Sequence, residues 1–191
     1  QADTIDLKPT VLNLLVGIND SYFGGEKAAE NYGKNLDKLL DMTVTVLPDI
    51  KLIICEPFAF ERVSYDNEDH RQTVLKNIEI CKDCALYAKQ AAEKYNAVFV
   101  PFYAEMKRFV DMCAPAQIVW DGVHPTIIGH EIMSRFWYET VDKSGLLRDR
   151  CRYRRCALPY RQKRQRSLVV MKFPCSDASL LIGLFVSVGI R

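Results

Sequence analysis

The sequence predicts an α/β domain in which a parallel sheet lies between two layers of helices. Three short apolar runs are nearly continuous rather than alternating, which is typical of parallel strands buried on both faces. The first run begins at Val11 and ends at Val16, and the others span residues 52–55 and 97–100. Helical patterns separate and follow these runs, and this alternation is the order of an open three-layer α/β/α sheet.

The predicted helices follow from apolar residues that recur every three or four positions. The first lies over residues 29–39, and the second, which is the longest, lies over residues 74–92. A shorter helix over residues 106–113 follows the third strand. The last helix begins at Pro125, a residue suited to a first helical turn. In sheets of this kind the chemistry gathers at the loops that leave the carboxyl ends of the strands.

Charge divides the 191 residues into two parts. Residues 1–147 carry 15 Lys and Arg against 22 Asp and Glu, a net of −7, whereas residues 148–191 carry 11 against 2, a net of +9. We therefore expect one domain over residues 1–147 and a tail over residues 148–191, basic and then apolar, that is not part of the fold. The apolar end, residues 180–190, is shorter than the roughly 18–20 residues of a membrane span.

The tail has two alternative interpretations. Its arginines could form a patch that binds nucleic acid or another anionic surface. Alternatively, it is sequence translated beyond the true end of the domain, which we favour because arginine dominates abruptly and no periodic face continues. We therefore do not expect nucleic acid to be the partner of this protein.

The seven cysteines are odd in number and scattered, which favours free thiols in a reducing compartment over a disulfide framework. Cys81 and Cys84 lie inside the longest helical pattern, and no second ligand pair occurs elsewhere, so we predict two cysteines on the face of a helix and no metal. The first ten residues are polar and acidic rather than a signal peptide, and we expect a cytoplasmic protein. The chain does not begin with methionine.

Gly17 and Asn19 directly follow the first predicted strand, in the stretch GINDSYFGG. Glycine permits a tight turn and the close approach of a substrate, and an asparagine amide offers N–H donors to a developing oxyanion. The simpler interpretation is ordinary turn chemistry after a strand. Taken by themselves, these two residues favour the simpler interpretation.

Asp121 and His124 stand three residues apart, just before Pro125. In such a loop the aspartate carboxylate can reach the imidazole Nδ1–H, which fixes the tautomer and leaves Nε2 free to accept a proton. A turn aspartate and a helix-capping histidine are the alternative. We assign structural roles to the two other histidines, His70 at the start of the long helix and His130 on the last one.

Together, GIND and DGVHPTIIGH resemble the SGNH, or GDSL-type, hydrolases, and the resemblance covers about residues 7–142. It implies a flavodoxin-like parallel sheet of order 2-1-3-4-5, and a site built from four sequence blocks. By the motif match, Asn19 corresponds to the oxyanion asparagine, with Gly17 beside it in the oxyanion hole. His124 corresponds to the general base and Asp121 to the acid that orients it.

The family's serine nucleophile belongs to a Gly-Asp-Ser block upstream of Gly-x-Asn-Asp, and no serine of this sequence follows Gly-Asp. Ser21 lies near the expected site, but its position in the oxyanion segment makes it a poor nucleophile. We therefore expect a fragment that has no nucleophile in the chain and that lacks the first two strands of the sheet. Such a sheet would expose the strand from Val11 to Val16 at its edge, which predicts self-association.

The resemblance implies hydrolysis of an acyl ester through a serine acyl-enzyme, without metal or organic cofactor. The substrates would be small or carbohydrate-borne acyl esters, such as acetyl esters. We expect this chain by itself to be inactive. Two alternatives from other classes remain, a non-catalytic relative that binds a ligand in the same cleft and a nucleic-acid-binding protein that uses the tail.

Overall fold

Three parallel strands form the sheet of the protein, whose computed structural model describes residues 4–146. The strands are β1 (Val11–Leu15), β2 (Lys51–Cys55) and β3 (Val98–Val100), in the order β1-β2-β3. Each lies within one residue of its predicted ends. The parallel sheet and all three predicted strands are therefore confirmed.

Six α-helices surround the sheet within residues 4–146. They are α1 (Ile18–Phe23), α2 (Ala28–Val46), α3 (Glu68–Lys94), α4 (Phe102–Met112), α5 (Pro115–Ile118) and α6 (Ile127–Ser144). Two short 3₁₀ turns, Ile5–Leu7 and Gly25–Lys27, complete the described elements. The four predicted helices correspond to α2, α3, α4 and α6, whereas the short helices α1 and α5 were not predicted.

The start of α6 differs from the prediction, because the helix begins at Ile127 rather than at Pro125. Thr126 caps it, and its hydroxyl accepts a hydrogen bond from the Gly129 amide at 3.1 Å. Pro125 instead pairs with Val119 in an isolated antiparallel bridge. The proline therefore closes the preceding loop and leaves the capping role to a threonine, a residue type favoured at this position.

The two faces of the sheet are buried by different helices. One core cluster joins residues of β1 and β2 to α2 and α3: Leu12, Leu14, Leu52 and Ile54 with Tyr32, Leu36, Leu40, Cys84 and Ala88. A second joins all three strands to α4 and α6: Ile53, Cys55 and Val100 with Met106, Val141 and the partly buried Val11 and Phe136. The three-layer arrangement is confirmed, and burial on both faces explains the continuous apolar runs.

A third, smaller cluster lies at the carboxyl end of the sheet. Ala59, which follows β2, packs there with three buried residues of α3: Val74, Ile78 and Cys81. Ile18 of α1 and Val123 of the loop before α6 pack against the same cluster. This packing brings α1 and the loop before α6 together, although they lie about a hundred residues apart in sequence. Cys81 and Cys84 both lie on α3, as predicted, and both are buried there.

Strand β1 lies at the edge of the described sheet and pairs with β2. Its Asn13 is tied to the rest of the domain, since its Oδ1 accepts hydrogen bonds from Trp137 Nε1 at 2.8 Å and from Cys55 Sγ at 3.4 Å. Self-association through this edge stays a prediction, which light scattering at tens of micromolar protein would test.

Residues 147–191 lie outside the described part of the chain, and the prediction about the tail concerns these residues. Within residues 4–146 none of the helices combines the length and the apolar character that crossing a membrane would require.

Candidate active site

Asp121 and His124 form a hydrogen-bonded pair in the loop before α6. The Asp121 Oδ2 atom lies 2.7 Å from His124 Nδ1, so the imidazole donates its Nδ1–H to the carboxylate. The side chain of Asp121 is 12% exposed and that of His124 is 68% exposed. The carboxylate is thus held inside the loop, while the imidazole reaches solvent with Nε2 available as an acceptor.

The second oxygen of the Asp121 carboxylate binds the backbone of its own loop. Oδ1 accepts hydrogen bonds from the amides of Val123 at 3.1 Å and His124 at 2.8 Å. Burial by itself would raise the pKa of Asp121, but the His124 amide and imidazole and the Val123 amide together hold the pKa below its ordinary value. Asp121 is therefore anionic at neutral pH and fixes the orientation of the imidazole.

The loop that carries this pair is closed by its own backbone. The Trp120 amide donates to the His124 carbonyl at 3.1 Å, and the Thr126 amide donates to the Ile118 carbonyl at 2.9 Å. The Thr126 hydroxyl also donates to the Gln117 carbonyl at 2.6 Å. These bonds join the two ends of the loop across the bridge, so its own backbone fixes much of its shape.

One distant contact joins this loop to the segment that leaves β2. The Phe60 amide donates to the Gly122 carbonyl at 2.9 Å, and Gly122 has a φ of 90°. A Cβ atom at position 122 would overlap the Phe60 carbonyl oxygen. Glycine is therefore required between Asp121 and His124 both for its backbone conformation and for this close approach.

The sequence predicted a turn at Gly17 and Asn19, but the structure places both residues at the start of helix α1. Gly17 precedes the helix with a φ of 116°, and Asn19 is an exposed residue of its first turn. A Cβ atom at position 17 would lie 3.1 Å from Pro57 Cγ and 3.1 Å from Tyr32 Cε2. The glycine therefore sets both the direction of α1 after β1 and the close packing of this turn.

The structure brings these two sequence motifs to one place. Ile18 and Val123, which directly precede Asn19 and His124, pack on the same apolar cluster at the carboxyl end of the sheet. The pKa of Tyr22 is raised, chiefly by burial. The positive charge of Arg62 lowers this pKa and the negative charge of Asp121 raises it, so the Tyr22 phenol lies within electrostatic range of both residues. Helix α1 therefore borders the Asp121–His124 loop.

Ser21 is placed as a structural residue. Its side chain is buried, with 2% of the residue exposed, and its hydroxyl donates to the Ile18 carbonyl at 2.7 Å. This bond is one that a helical serine commonly makes to its own backbone. Among the other described serines, Ser134 and Ser144 lie on α6, where their hydroxyls donate to the carbonyls of Glu131 and Val141.

A cavity of about 260 Å³ lies at the carboxyl ends of β2 and β3, between α3 and α4. Its lining is mainly apolar, with Glu56, Lys82, Lys89 and Tyr103 as its polar members. Burial raises the pKa of Glu56, whose carboxylate accepts the Tyr103 amide at 2.7 Å. None of the predicted site residues, Gly17, Asn19, Asp121 and His124, lines this cavity.

Metal ligation is a separate question from acid/base chemistry. Within residues 4–146 no three His, Cys, Asp or Glu side chains converge as a group that could hold a metal ion.

The family model of the GDSL-like lipases and acylhydrolases matches residues 3–137. The chain belongs to this family. It is 29% identical over 149 residues to the acetylxylan esterase of Geobacillus stearothermophilus, an alignment that covers 74% of this chain and 63% of that enzyme. The resemblance predicted from the two motifs is thereby confirmed.

Solved structures agree with the family assignment. A protein of Parabacteroides merdae described as a GDSL-like lipase has a TM-score of 0.63 and 30% identity, over 75% of this chain and 64% of that one. An alpha/beta hydrolase enzyme from the metagenome of Lake Arreo, Spain, shares the fold with a TM-score of 0.60 and 22% identity, over 74% and 64% of the two chains. The chain thus spans less than two thirds of the length of these relatives.

Two residues beside the pair were missed by the sequence analysis. Trp120 is 61% exposed, and its ring stacks on that of His124 with centroids 5.7 Å apart and an interplanar angle of 23°. Its position directly before Asp121 was a usable signal. Arg62 lies on the segment after β2, and no local pattern connects it to a loop sixty residues later.

Proposed function

We propose that this chain carries the acid/base and oxyanion parts of an acyl ester hydrolase. The observation that carries the proposal is the 2.7 Å bond between Asp121 Oδ2 and His124 Nδ1, on an imidazole that remains exposed. A second support is that α1, which carries Asn19, borders the same loop. Family membership makes acyl ester hydrolysis the chemistry that such a site would serve.

In this mechanism His124 is the general base. Its Nε2 removes the proton from an attacking hydroxyl, and the anionic Asp121 stabilises the imidazolium that forms. His124 then returns the proton to the leaving alcohol. The Asn19 amide and the Gly17 backbone N–H would donate to the oxyanion of the tetrahedral intermediate.

The nucleophile is the part that we do not place on this chain. Ser21 is buried and its hydroxyl donates to the Ile18 carbonyl of its own helix, so we do not assign it as the nucleophile. The family resemblance places the serine in a Gly-Asp-Ser block upstream of Gly-x-Asn-Asp. We therefore propose that this chain by itself does not turn over esters and that a segment with this block would complete the site.

The substrate class that we propose is an acetyl or other short acyl ester on a carbohydrate. The relative from Geobacillus stearothermophilus is an acetylxylan esterase. Trp120 supports the same class, because an exposed indole beside His124 offers an apolar ring face on which a sugar could stack. The amphipathic indole suits a ligand that has both C–H faces and hydroxyl groups.

The experiment compares the chain as given with the same chain extended upstream of Gln1 by a family segment that carries Gly-Asp-Ser. With p-nitrophenyl acetate, we expect the chain alone to match free imidazole and the extended chain to show burst acylation. In the extended chain, His124→Ala should abolish the burst. Asn19→Ala should lower kcat by about 10²–10³ with a smaller effect on KM.

The matched control is His130→Ala, because His130 is exposed on α6 and bonds to the Thr126 carbonyl at 2.9 Å. This variant should retain the activity of the extended chain. Turnover by the chain alone that Ser21→Ala stops would refute the absence of a nucleophile. If His124→Ala leaves the activity of the extended chain unchanged, the assignment of His124 as the base is refuted. If the extended chain binds acetylated xylooligosaccharides but does not hydrolyse them, the protein is instead a non-catalytic relative that binds its ligand in the same cleft.

A further inference from the structure

Arg62 lies beside the Asp121–His124 loop, on the segment that leaves β2. A Cβ atom at position 122 would lie 3.4 Å from Arg62 Cγ. The neighbouring Phe60 amide donates to the Gly122 carbonyl at 2.9 Å, so this segment and the loop are in direct contact. The aliphatic part of Arg62 thus packs against Gly122, one of the two residues between Asp121 and His124.

The guanidinium of Arg62 is oriented by a chain of two contacts, from Arg62 to His70 and from His70 to Asp66. Its Nη1 lies 3.0 Å from His70 Nε2, and because arginine only donates, Nε2 must be the acceptor. The proton of the neutral imidazole is therefore on Nδ1, which lies 3.0 Å from Asp66 Oδ2. Tyr65 holds the backbone at the same place, since its hydroxyl accepts the Arg62 amide at 3.1 Å.

This half-buried arginine has no carboxylate partner within residues 4–146. The side-chain hydrogen bond that Arg62 makes among the described residues uses Nη1, so within residues 4–146 the atoms Nε and Nη2 have no hydrogen-bonded side chain. A partly buried charge without a counter-ion is costly unless a ligand or water satisfies it. The Nε–Nη2 edge is the fork with which arginine binds two oxygens of a carboxylate.

We propose that Arg62 forms a carboxylate-binding subsite beside the candidate active site, with His70 and Asp66 as positioning residues. The inference rests on the proposed function, because the carboxylate would belong to the substrate's sugar, as in a uronic acid, or to the acid released from the ester. In both cases two carboxylate oxygens accept Nε–H and Nη2–H, while His70 holds Nη1.

The experiment titrates the full chain with three probes and follows the side-chain nitrogen signals of Arg62 and His70 by NMR. The probes are methyl glucuronide, methyl glucoside as its uncharged match, and acetate. We expect the glucuronide to bind at least about tenfold more tightly than the glucoside, as one charge-assisted hydrogen bond allows. Competition by acetate would indicate the released acid, and its absence the sugar carboxylate.

Variants separate recognition from folding. Arg62→Gln should remove the preference for the glucuronide, and Arg62→Lys should lose most of it because the charge remains without the fork. His70→Leu should weaken glucuronide binding severalfold, and His70→Gln, which keeps an acceptor toward Arg62, should restore it. The matched control is Arg71→Gln, since Arg71 is a partly exposed neighbour of His70 that pairs with Glu68 on the same helix.

Equal affinity for the charged and uncharged sugars in the unaltered chain would overturn the inference, as would a loss in Arg71→Gln equal to that in Arg62→Gln. These outcomes are distinct from failure of the proposed function. Carboxylate binding at Arg62 without ester turnover by the extended chain would remove only the proposed function. Ester turnover without a preference for the glucuronide would remove only this inference.

Discussion

The loop that carries Asp121 and His124 and the helix that carries Asn19 are held by different interactions. In the loop, the Asp121 carboxylate bonds to two amides and one imidazole, all within three residues. Helix α1 has one turn and a half, and it is directed by Gly17 and anchored by the packing of Ile18 on a cluster from other elements. One half of the candidate site is therefore built locally, and the other depends on tertiary packing.

This difference indicates how the two halves would respond to damage. A loop closed by its own hydrogen bonds keeps the acid/base pair when distant parts of the domain are disturbed. A short helix is not stable by itself, since isolated helices of this length do not form in water. The position of Asn19 should therefore respond more to changes in distant parts of the domain, and three substitutions test this comparison.

The largest effect is expected from Gly122→Ala, which disturbs the loop at its hydrogen bond to Phe60. A side chain at φ 90° is strained, and its Cβ atom would overlap the Phe60 carbonyl oxygen. Strain and overlap together should lower the free energy of unfolding by about 2–5 kcal/mol, as measured by urea denaturation.

The control for Gly122→Ala is Gly25→Ala, because Gly25 also has a positive φ, 70°, but a Cβ atom there meets nothing within 4 Å. Its cost should be only the backbone strain, about 1–2 kcal/mol. Equal costs at the two positions would mean that the contact between Phe60 and Gly122 does not restrain the loop.

A smaller loss is expected from Gly17→Ala, which disturbs the half that carries Asn19. At φ 116° alanine is strained, and the rings of Pro57 and Tyr32, each 3.1 Å from the new atom, must move. We expect a loss of about 1–3 kcal/mol. The amide NMR signals of α1 should shift while those of residues 119–126 stay in place, and equal shifts in both would contradict independent halves.

The smallest effect is expected from Asp121→Asn, which weakens the local half without a change in size. The asparagine carbonyl can still accept the two amides, so the loss at pH 7 should be about 0.5–1.5 kcal/mol. Because the pKa of Asp121 is lower in the folded chain than its ordinary 3.8, its stabilisation is present above pH 3.8 and is lost as the pH falls through the folded value.

The difference in unfolding free energy between Asp121→Asn and the unaltered chain should therefore shrink below pH 3.8. Denaturation curves from pH 7 to pH 2.5 would measure it. The ¹⁵N shifts of His124 provide a second readout, since Asp121 holds the proton on Nδ1. A difference that grows as the pH falls would show that the carboxylate is not stabilised in its charged form.

The sequence by itself determined the secondary structure and the contacts between residues that are near each other in the chain. The apolar runs determined three buried strands to within one residue, and the periodic patterns determined the four long helices. The contact between Asp121 and His124 was also predictable, because three residues of loop allow few arrangements of a carboxylate and an imidazole. The short helices α1 and α5 were not, since four to six residues contain too little of a helical period.

Only the tertiary structure decided which distant residues meet at the site. The bond from Phe60 to Gly122, the row formed by Asp66, His70 and Arg62, and the shared packing of Ile18 and Val123 all depend on how α3 and the segment after β2 lie over the sheet. Such contacts leave no periodic trace in the sequence, because each joins residues whose separation is set by the path of the chain rather than by the repeat of a helix or strand.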